Sequence, residues 1–239
     1  MTEAEYKQKL GRFFGDLLFR YRIAKSVKAQ MDRYLASDFN LVSLLAPGEE
    51  TISRLIALLL EPDGVHGQGK VFLEKFVEIL RKNLKKRGVE NPMEDVGEFC
   101  NAKVETEHST DKGGRVDIFI DLPNFVIGIE NKIRARDQKD QLKNYNEYLK
   151  NKRESYLLIF LTCDGREPSE WSIPKGERAE LEKSGKLITL SYGEFLKSWL
   201  KECLKECEAD KVRWFIRDFI SWIEENCKEV SDDGQKEDN

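Results

Sequence analysis

No run of about 18 consecutive apolar residues occurs in the 239-residue chain, which excludes a membrane-spanning helix. The opening residues, MTEAEYKQKLGRFF, carry acids and lack an apolar core segment, so no secretory signal is expected. Cysteine is scarce and unpatterned. Cys100, Cys163, Cys203, Cys207 and Cys227 are scattered and odd in number, which fits free thiols in a reducing cytoplasm. Cys203 and Cys207 lie four apart on a predicted helix with no histidine or second cysteine pair beside them, so no zinc site is read there. Internal repeats are absent. Positive charge is not in excess either: 40 Lys and Arg face 44 Asp and Glu, a net charge of −4. That balance does not advertise nucleic-acid binding, but its distribution says more. Residues 1–150 hold 25 basic against 24 acidic side chains, and the remainder 15 against 20, so the acid excess lies in the C-terminal part. A nucleic-acid enzyme needs only a local basic rim. With 40% hydrophobic and 35% charged residues, a proper core and a well-solvated surface are both expected.

The stretch Gly113–Leu149 organises the rest. Val116, Ile118 and Ile120 alternate with Asp117, Phe119 and Asp121, the period-2 pattern of a half-buried strand. Pro123-Asn124 is turn chemistry. Ile127 and Ile129 then alternate with Val126, Gly128, Glu130 and Lys132, which share the opposite face. With Pro123-Asn124 as a two-residue loop, Asp117 lies across the hairpin from Glu130. One sheet face then gathers two carboxylates and an ammonium, beside a glycine that leaves access open. Two adjacent carboxylates repel and are costly to bury. A hard cation such as Mg²⁺ between them removes the cost, and such ions take carboxylate, water and phosphate oxygens. A nearby lysine can position a water or stabilise charge on phosphorus.

Asp117 followed by Glu130-Asn131-Lys132 at the end of a hydrophobic strand resembles the core motif of the PD-(D/E)XK nuclease superfamily. Gln141 and Tyr145 on the next helix are similar to the Q-x-x-x-Y element of its RecB-like branch. Ser53, Leu58–Pro62, His66–Gly69 and Phe72-Leu73 extend the resemblance upstream, toward an uncharacterised nuclease group. In place of the proline of the family name, Arg115-Val116 precedes Asp117. The resemblance covers roughly Glu49–Leu200. It implies a restriction-endonuclease-like α/β fold, a mixed central sheet flanked by helices, and cleavage of nucleic acid, DNA above RNA, with Mg²⁺ or Mn²⁺. It implies Asp117, Glu130, Lys132 and Gln141 as catalytic residues, with Asp117, Glu130 and Glu49 at the metal and Glu50 as the alternative to Glu49.

Around this core, residues 1–45 read as an N-terminal helical extension, with Leu10, Phe13, Phe14, Leu17, Leu18 and Tyr21 at helical spacing. Packing of that helical layer on the core is expected, a separate binding module being the alternative. The nuclease-like domain is assigned to 46–228 and a disordered acidic tail to 229–239. Glu49 and Glu50 suit the first turn of a helix as acids. His66 and Gln68, in a glycine-flanked loop, are candidate substrate contacts or simply hold the turn. The run Arg81–Arg87 is either a phosphate patch or a solvated helix end. Arg134 and Arg136, next to the proposed chemistry, are better placed for backbone phosphates, with Tyr145 also assigned to substrate. Tyr156–Thr162 is a continuous apolar run, predicted as a buried central strand parallel to the one before it. Lys186–Ser191 is a further strand at an edge. The apolar face of the last helix, around Trp222, belongs to the core or to a second copy, so a homodimer is admitted. The rival to the nuclease is a non-catalytic nucleic-acid-binding or protein-interaction module on the same fold.

Overall fold

The computed structural model describes residues 2–36, 38–45, 47–89, 93 and 95–227. The acidic tail expected over 229–239 lies outside the described residues. The chain divides into two compact units at Asn40–Leu41. In the first, α1 runs Glu3–Leu35, opened by a capping box between Thr2 and Glu5 and closed by Ala36 in the left-handed region. None of its residues is buried.

The second unit is built on a five-stranded sheet in the order β1 (Lys103–Ser109), β2 (Arg115–Asp121), β3 (Val126–Lys132), β4 (Tyr156–Thr162) and β5 (Leu187–Ser191). The first three strands are antiparallel and the last three parallel. The β2–β3 hairpin closes as its sequence dictates, with Leu122 and Phe125 exchanging backbone hydrogen bonds around Pro123-Asn124. The β3–β4 crossover is α5 (Gln141–Lys152), which makes the pair parallel. β5 is the edge strand that its position predicts.

Two apolar layers sandwich the sheet. On one face Ile118, Ile127, Ile129 and Ile159 pack under α3 (Glu49–Leu60), α4 (Val71–Lys86), α7 (Lys197–Glu206) and α8 (Asp210–Asn226). A one-turn α2 (Leu41–Leu44) adds buried Val42 to that layer. On the other face Phe119, Val126, Leu158 and Phe160 pack under α5, with Leu181 of the short α6 (Lys175–Lys183) at the margin. The sequence reading missed α6, a charged helix without a buried residue. In α8, Ile216, Phe219, Trp222 and Ile223 are buried, which assigns that face to the core, while Trp214 stays exposed with Arg217 over its ring.

Two expectations need correction. Gly128 does not leave the sheet face open. A Cβ there would lie 2.9 Å from Leu149 Cδ1, so the glycine lets α5 settle onto the sheet. Because Leu149 is fully buried and cannot swing away, Gly128→Ala is expected to cost about 1–2 kcal/mol by overpacking. Chemical denaturation checks this, and Leu149→Val in the same chain should return part of the loss. Nor are all cysteines free. Cys163, at the end of β4, and Cys227, just past α8, form a disulfide across 64 residues of sequence, while Cys100, Cys203 and Cys207 remain thiols. Only the fold brings those two ends together, so spacing alone cannot show it.

Candidate active site

The antiparallel register pairs Ile118 with Ile129 and Phe119 with Gly128. Carried one residue further, it sets Asp117 opposite Glu130. The side chains of Glu130 and Lys132 are almost wholly buried, 1% and 6% exposed, in the middle of a sheet whose neighbours are apolar. Lys132 Nζ lies 2.6 Å from Glu130 Oε1. Oε1 of Glu130 is thus ion-paired with Lys132, while Oε2 is buried and has no partner among the described residues. Asp117 Oδ2 accepts the backbone N–H of Asn131 at 2.6 Å.

Glu49, in the first turn of α3, reaches the same place from above the sheet. Its Oε1 accepts three successive backbone N–H groups, of Ile133, Arg134 and Ala135, at 2.8, 3.1 and 2.9 Å. One carboxylate thus fixes the turn that leaves β3, and its second oxygen accepts no hydrogen bond among the described residues. Glu50 points elsewhere and pairs with Arg54 on the exposed side of α3. The structure therefore places Glu49 at the cluster and Glu50 away from it.

A polar bolt behind these groups escaped the sequence reading. Asn131, fully buried, donates from Nδ2 to Ser53 Oγ at 2.9 Å and to the Glu49 carbonyl at 3.3 Å. Its Oδ1 accepts the hydroxyl of Tyr192, which opens a π-helical turn over Tyr192–Leu196. Ser53 Oγ also donates to the Glu49 carbonyl. The start of α3 is thereby tied to β3 directly behind the carboxylates. The signal was present: Asn131 interrupts the apolar face that Ile127 and Ile129 begin.

Burial is the main reason that the carboxyl of Asp117 is pushed up from 3.8 to about 6. The Asn131 amide and Lys132 pull it down, while Glu107 and Glu49 add to the rise. Glu130 is pushed up from 4.5 to about 8, first by burial and then by the charge of Asp117, against the pull of Lys132. Burial disfavours the charge on Lys132, but Glu130, Glu49 and Asp117 together outweigh it and raise its pKa. One ammonium facing three carboxylates leaves the cluster short of positive charge.

Among the described residues no three His, Cys, Asp or Glu side chains form a ready metal cage. What the fold offers is two hard carboxylates, one of them with a buried oxygen that has no partner among the described residues. That donor set fits Mg²⁺, which takes one or two carboxylates and fills its remaining positions with water and phosphate oxygens.

Gln141 and Tyr145 lie one turn apart on the face of α5 that covers the sheet. Gln141 Nε2 donates to Tyr145 Oη at 3.3 Å, and that hydroxyl donates to the carbonyl of Arg115, two residues before Asp117, at 2.5 Å. Burial first, then the charge of Glu130, raises the pKa of Tyr145. Both residues thus brace β2 beside the cluster.

Arg134 and Arg136 are exposed on the loop between β3 and α5 and make no ion pair among the described residues. The loop itself is pinned. Asp137 accepts both terminal nitrogens of Arg166, at 2.7 and 3.2 Å, and the N–H of Ser169 at 2.6 Å. Arg81 and Arg87, by contrast, are spent on the carbonyls of Met93 and Thr189, which favours the helix-end reading of that run.

His66 and Gln68 are not brought to the cluster. The 12 residues of α3 span about 18 Å, and His66 sits at the end away from Glu49. Its Nε2 lies 2.8 Å from the Glu61 carbonyl and its Nδ1 accepts the N–H of Gln68 at 3.0 Å. Gln68 binds the carbonyl of His66 and the N–H of Glu208. Both hold a turn.

No match was found among curated proteins or among solved structures. The family model of the PD-(D/E)XK nuclease superfamily matches residues 39–221, which takes in the whole sheet, α3 and the entire cluster. The matched span covers more than half of the chain and holds the mixed five-stranded sheet with its flanking helices, and the chain belongs to the PD-(D/E)XK nuclease superfamily.

Proposed function

We propose that the protein is a divalent-metal-dependent nuclease that hydrolyses phosphodiester bonds of DNA, using Mg²⁺ or Mn²⁺. The observation that carries the reading is Glu130, a buried carboxylate that pairs with Lys132 through one oxygen, has no partner for the other among the described residues and lies beside Asp117. A fold gains nothing from such an arrangement unless a cation and a phosphate complete it. Asp117 and Glu130 hold the metal, and Glu49 joins through the oxygen not committed to the turn. When bound, the metal neutralises charge on the scissile phosphate and lowers the pKa of a water. Lys132 is placed to orient that water and to offset charge developing on phosphorus. Gln141 and Tyr145 keep β2 and its aspartate in register, the role we assign to the RecB-like helix element. Arg134 and Arg136, on their pinned loop, grip phosphates flanking the cut, a contact that positions the strand without reading its sequence.

Incubation with linear and with closed circular DNA, with and without Mg²⁺ or Mn²⁺, tests the reading. Cleavage is expected only with metal, and a Lys132→Ala protein is expected to cut at least about 100-fold more slowly than the wild type. Cleavage of the closed circle would define an endonuclease. A wild type that binds neither metal nor DNA would move the assignment to a non-catalytic module.

A further inference from the structure

The apolar side of α1 is a candidate interface that the nuclease reading does not use. Leu10, Leu17, Ala24 and Met31 recur every seven residues, and Phe13, Arg20 and Val27 each lie three residues after one of the first three. That is a heptad seam three repeats long, apolar at every position except Arg20. Every seam residue is exposed. From Leu10 to Met31 the seam runs about 32 Å along the helix, and an exposed apolar stripe of that length, broken only at Arg20, marks an interaction surface.

The charges indicate the occupant. Elsewhere on α1 the four-residue spacing produces ion pairs, Lys7 with Glu3 and Lys28 with Asp32. Asp16 and Arg20 have the same spacing, yet neither makes an ion pair among the described residues. In a parallel pair of identical helices, Arg20 would face Arg20 inside the seam, two like charges in an apolar layer. In an antiparallel pair, with Leu10 opposite Val27 and Phe13 opposite Ala24, Arg20 of one copy meets Leu17 of the other. Its long side chain then passes Leu17 to the carboxylate of Asp16. The large phenyl of Phe13 falls against the small Ala24, so the layers also match in volume.

We propose that α1 pairs antiparallel with α1 of a second copy, making the protein a dimer through its N-terminal unit. Sedimentation equilibrium on the full chain tests this with two neighbouring leucines. Leu17→Asp, in the seam, is expected to raise the dimer dissociation constant by at least about 100-fold. Leu18→Asp, rotated out of the seam, should change it by less than about threefold. Asp16→Arg should weaken the dimer, and Asp16→Arg with Arg20→Asp should restore it, since the pair is exchanged between copies. A wild type that stays monomeric at about 50 μM, whether or not it binds lipid vesicles, overturns the proposal. So does equal loss from both leucine variants, and a double charge swap that restores nothing overturns the antiparallel arrangement.

Discussion

Asp117→Asn is expected to abolish cleavage while leaving the metal-free protein more stable at pH 8. The two effects have one cause. An asparagine is close in shape, and its side-chain oxygen can still accept the Asn131 N–H that Asp117 Oδ2 holds at 2.6 Å. What it removes is a negative charge. That charge is the one a divalent cation needs, and its loss should lower the cleavage rate by roughly a thousandfold. It is also a charge that the empty cluster resists. The carboxyl of Asp117 is raised from 3.8 to about 6, with burial the largest cause and Glu107 and Glu49 contributing. A raised carboxyl favours the fold through its protonated form. That stability is complete below about 3.8 and is lost as pH rises through 6. At pH 8 the loss amounts to about 3 kcal/mol at most, and about 1–2 kcal/mol once relaxation is allowed. The asparagine variant has nothing to lose over that range, and Glu130 gains by having one like charge fewer beside it. Thermal unfolding at pH 4 and pH 8, in the presence of a chelator, separates the two proteins. A variant that cuts at the wild-type rate would end the metal assignment. One that is inactive but less stable at pH 8 would show that Asp117 is held mainly by structure, through Asn131.

How much of this was legible beforehand differs from group to group. The hairpin and the meeting of Asp117 with Glu130 follow from local rules: alternation fixes the faces and a two-residue turn fixes the register. β4 announced itself as an uninterrupted apolar run, and the helix before it required a parallel partner. Glu49 could be singled out only by resemblance, since nothing in its own neighbourhood says that its carboxylate will gather three N–H groups from residues more than 80 positions away. Gly128 misled because a missing side chain reads equally well as an opening or as room for a neighbour, and only the placement of Leu149 decides between them. The Cys163–Cys227 bond and the Tyr192–Asn131–Ser53 bolt are long-range pairings, invisible to period or propensity. Asn131 was nonetheless open to detection. A polar residue on the apolar face of a central strand must find hydrogen-bond partners within the fold.

The second large effect concerns the cation itself, and it has a readout independent of cutting. Glu130 is raised to about 8 and Asp117 to about 6, so both take up protons in the metal-free protein under conditions where free carboxyls are ionised. Stability held by those protons is full below pH 4 and drains as pH rises through 6 and then 8. A divalent cation replaces the protons, so its binding must release them and must tighten with pH over the same window. At saturating Mg²⁺ or Mn²⁺ the melting temperature should therefore scarcely move at pH 4.5 and rise by about 5–10 °C at pH 8.5, the size expected for a ligand at about 100 times its dissociation constant. Calorimetric titration at pH 7 in two buffers of different ionisation enthalpy should count roughly one proton released per ion. Glu130→Gln should erase both signals, because its amide offers no charge to exchange. The distinction from a generic salt effect is sharp. Screening of exposed pairs on the surface, such as Lys82 with Glu78, responds to ionic strength whatever the valence of the cation and releases no proton. A metal-induced stabilisation that is the same at pH 4.5 and pH 8.5, or that survives in Glu130→Gln, would place the ion somewhere other than between these two strands. The buried charge of Glu130 would then have to be explained by Lys132 alone.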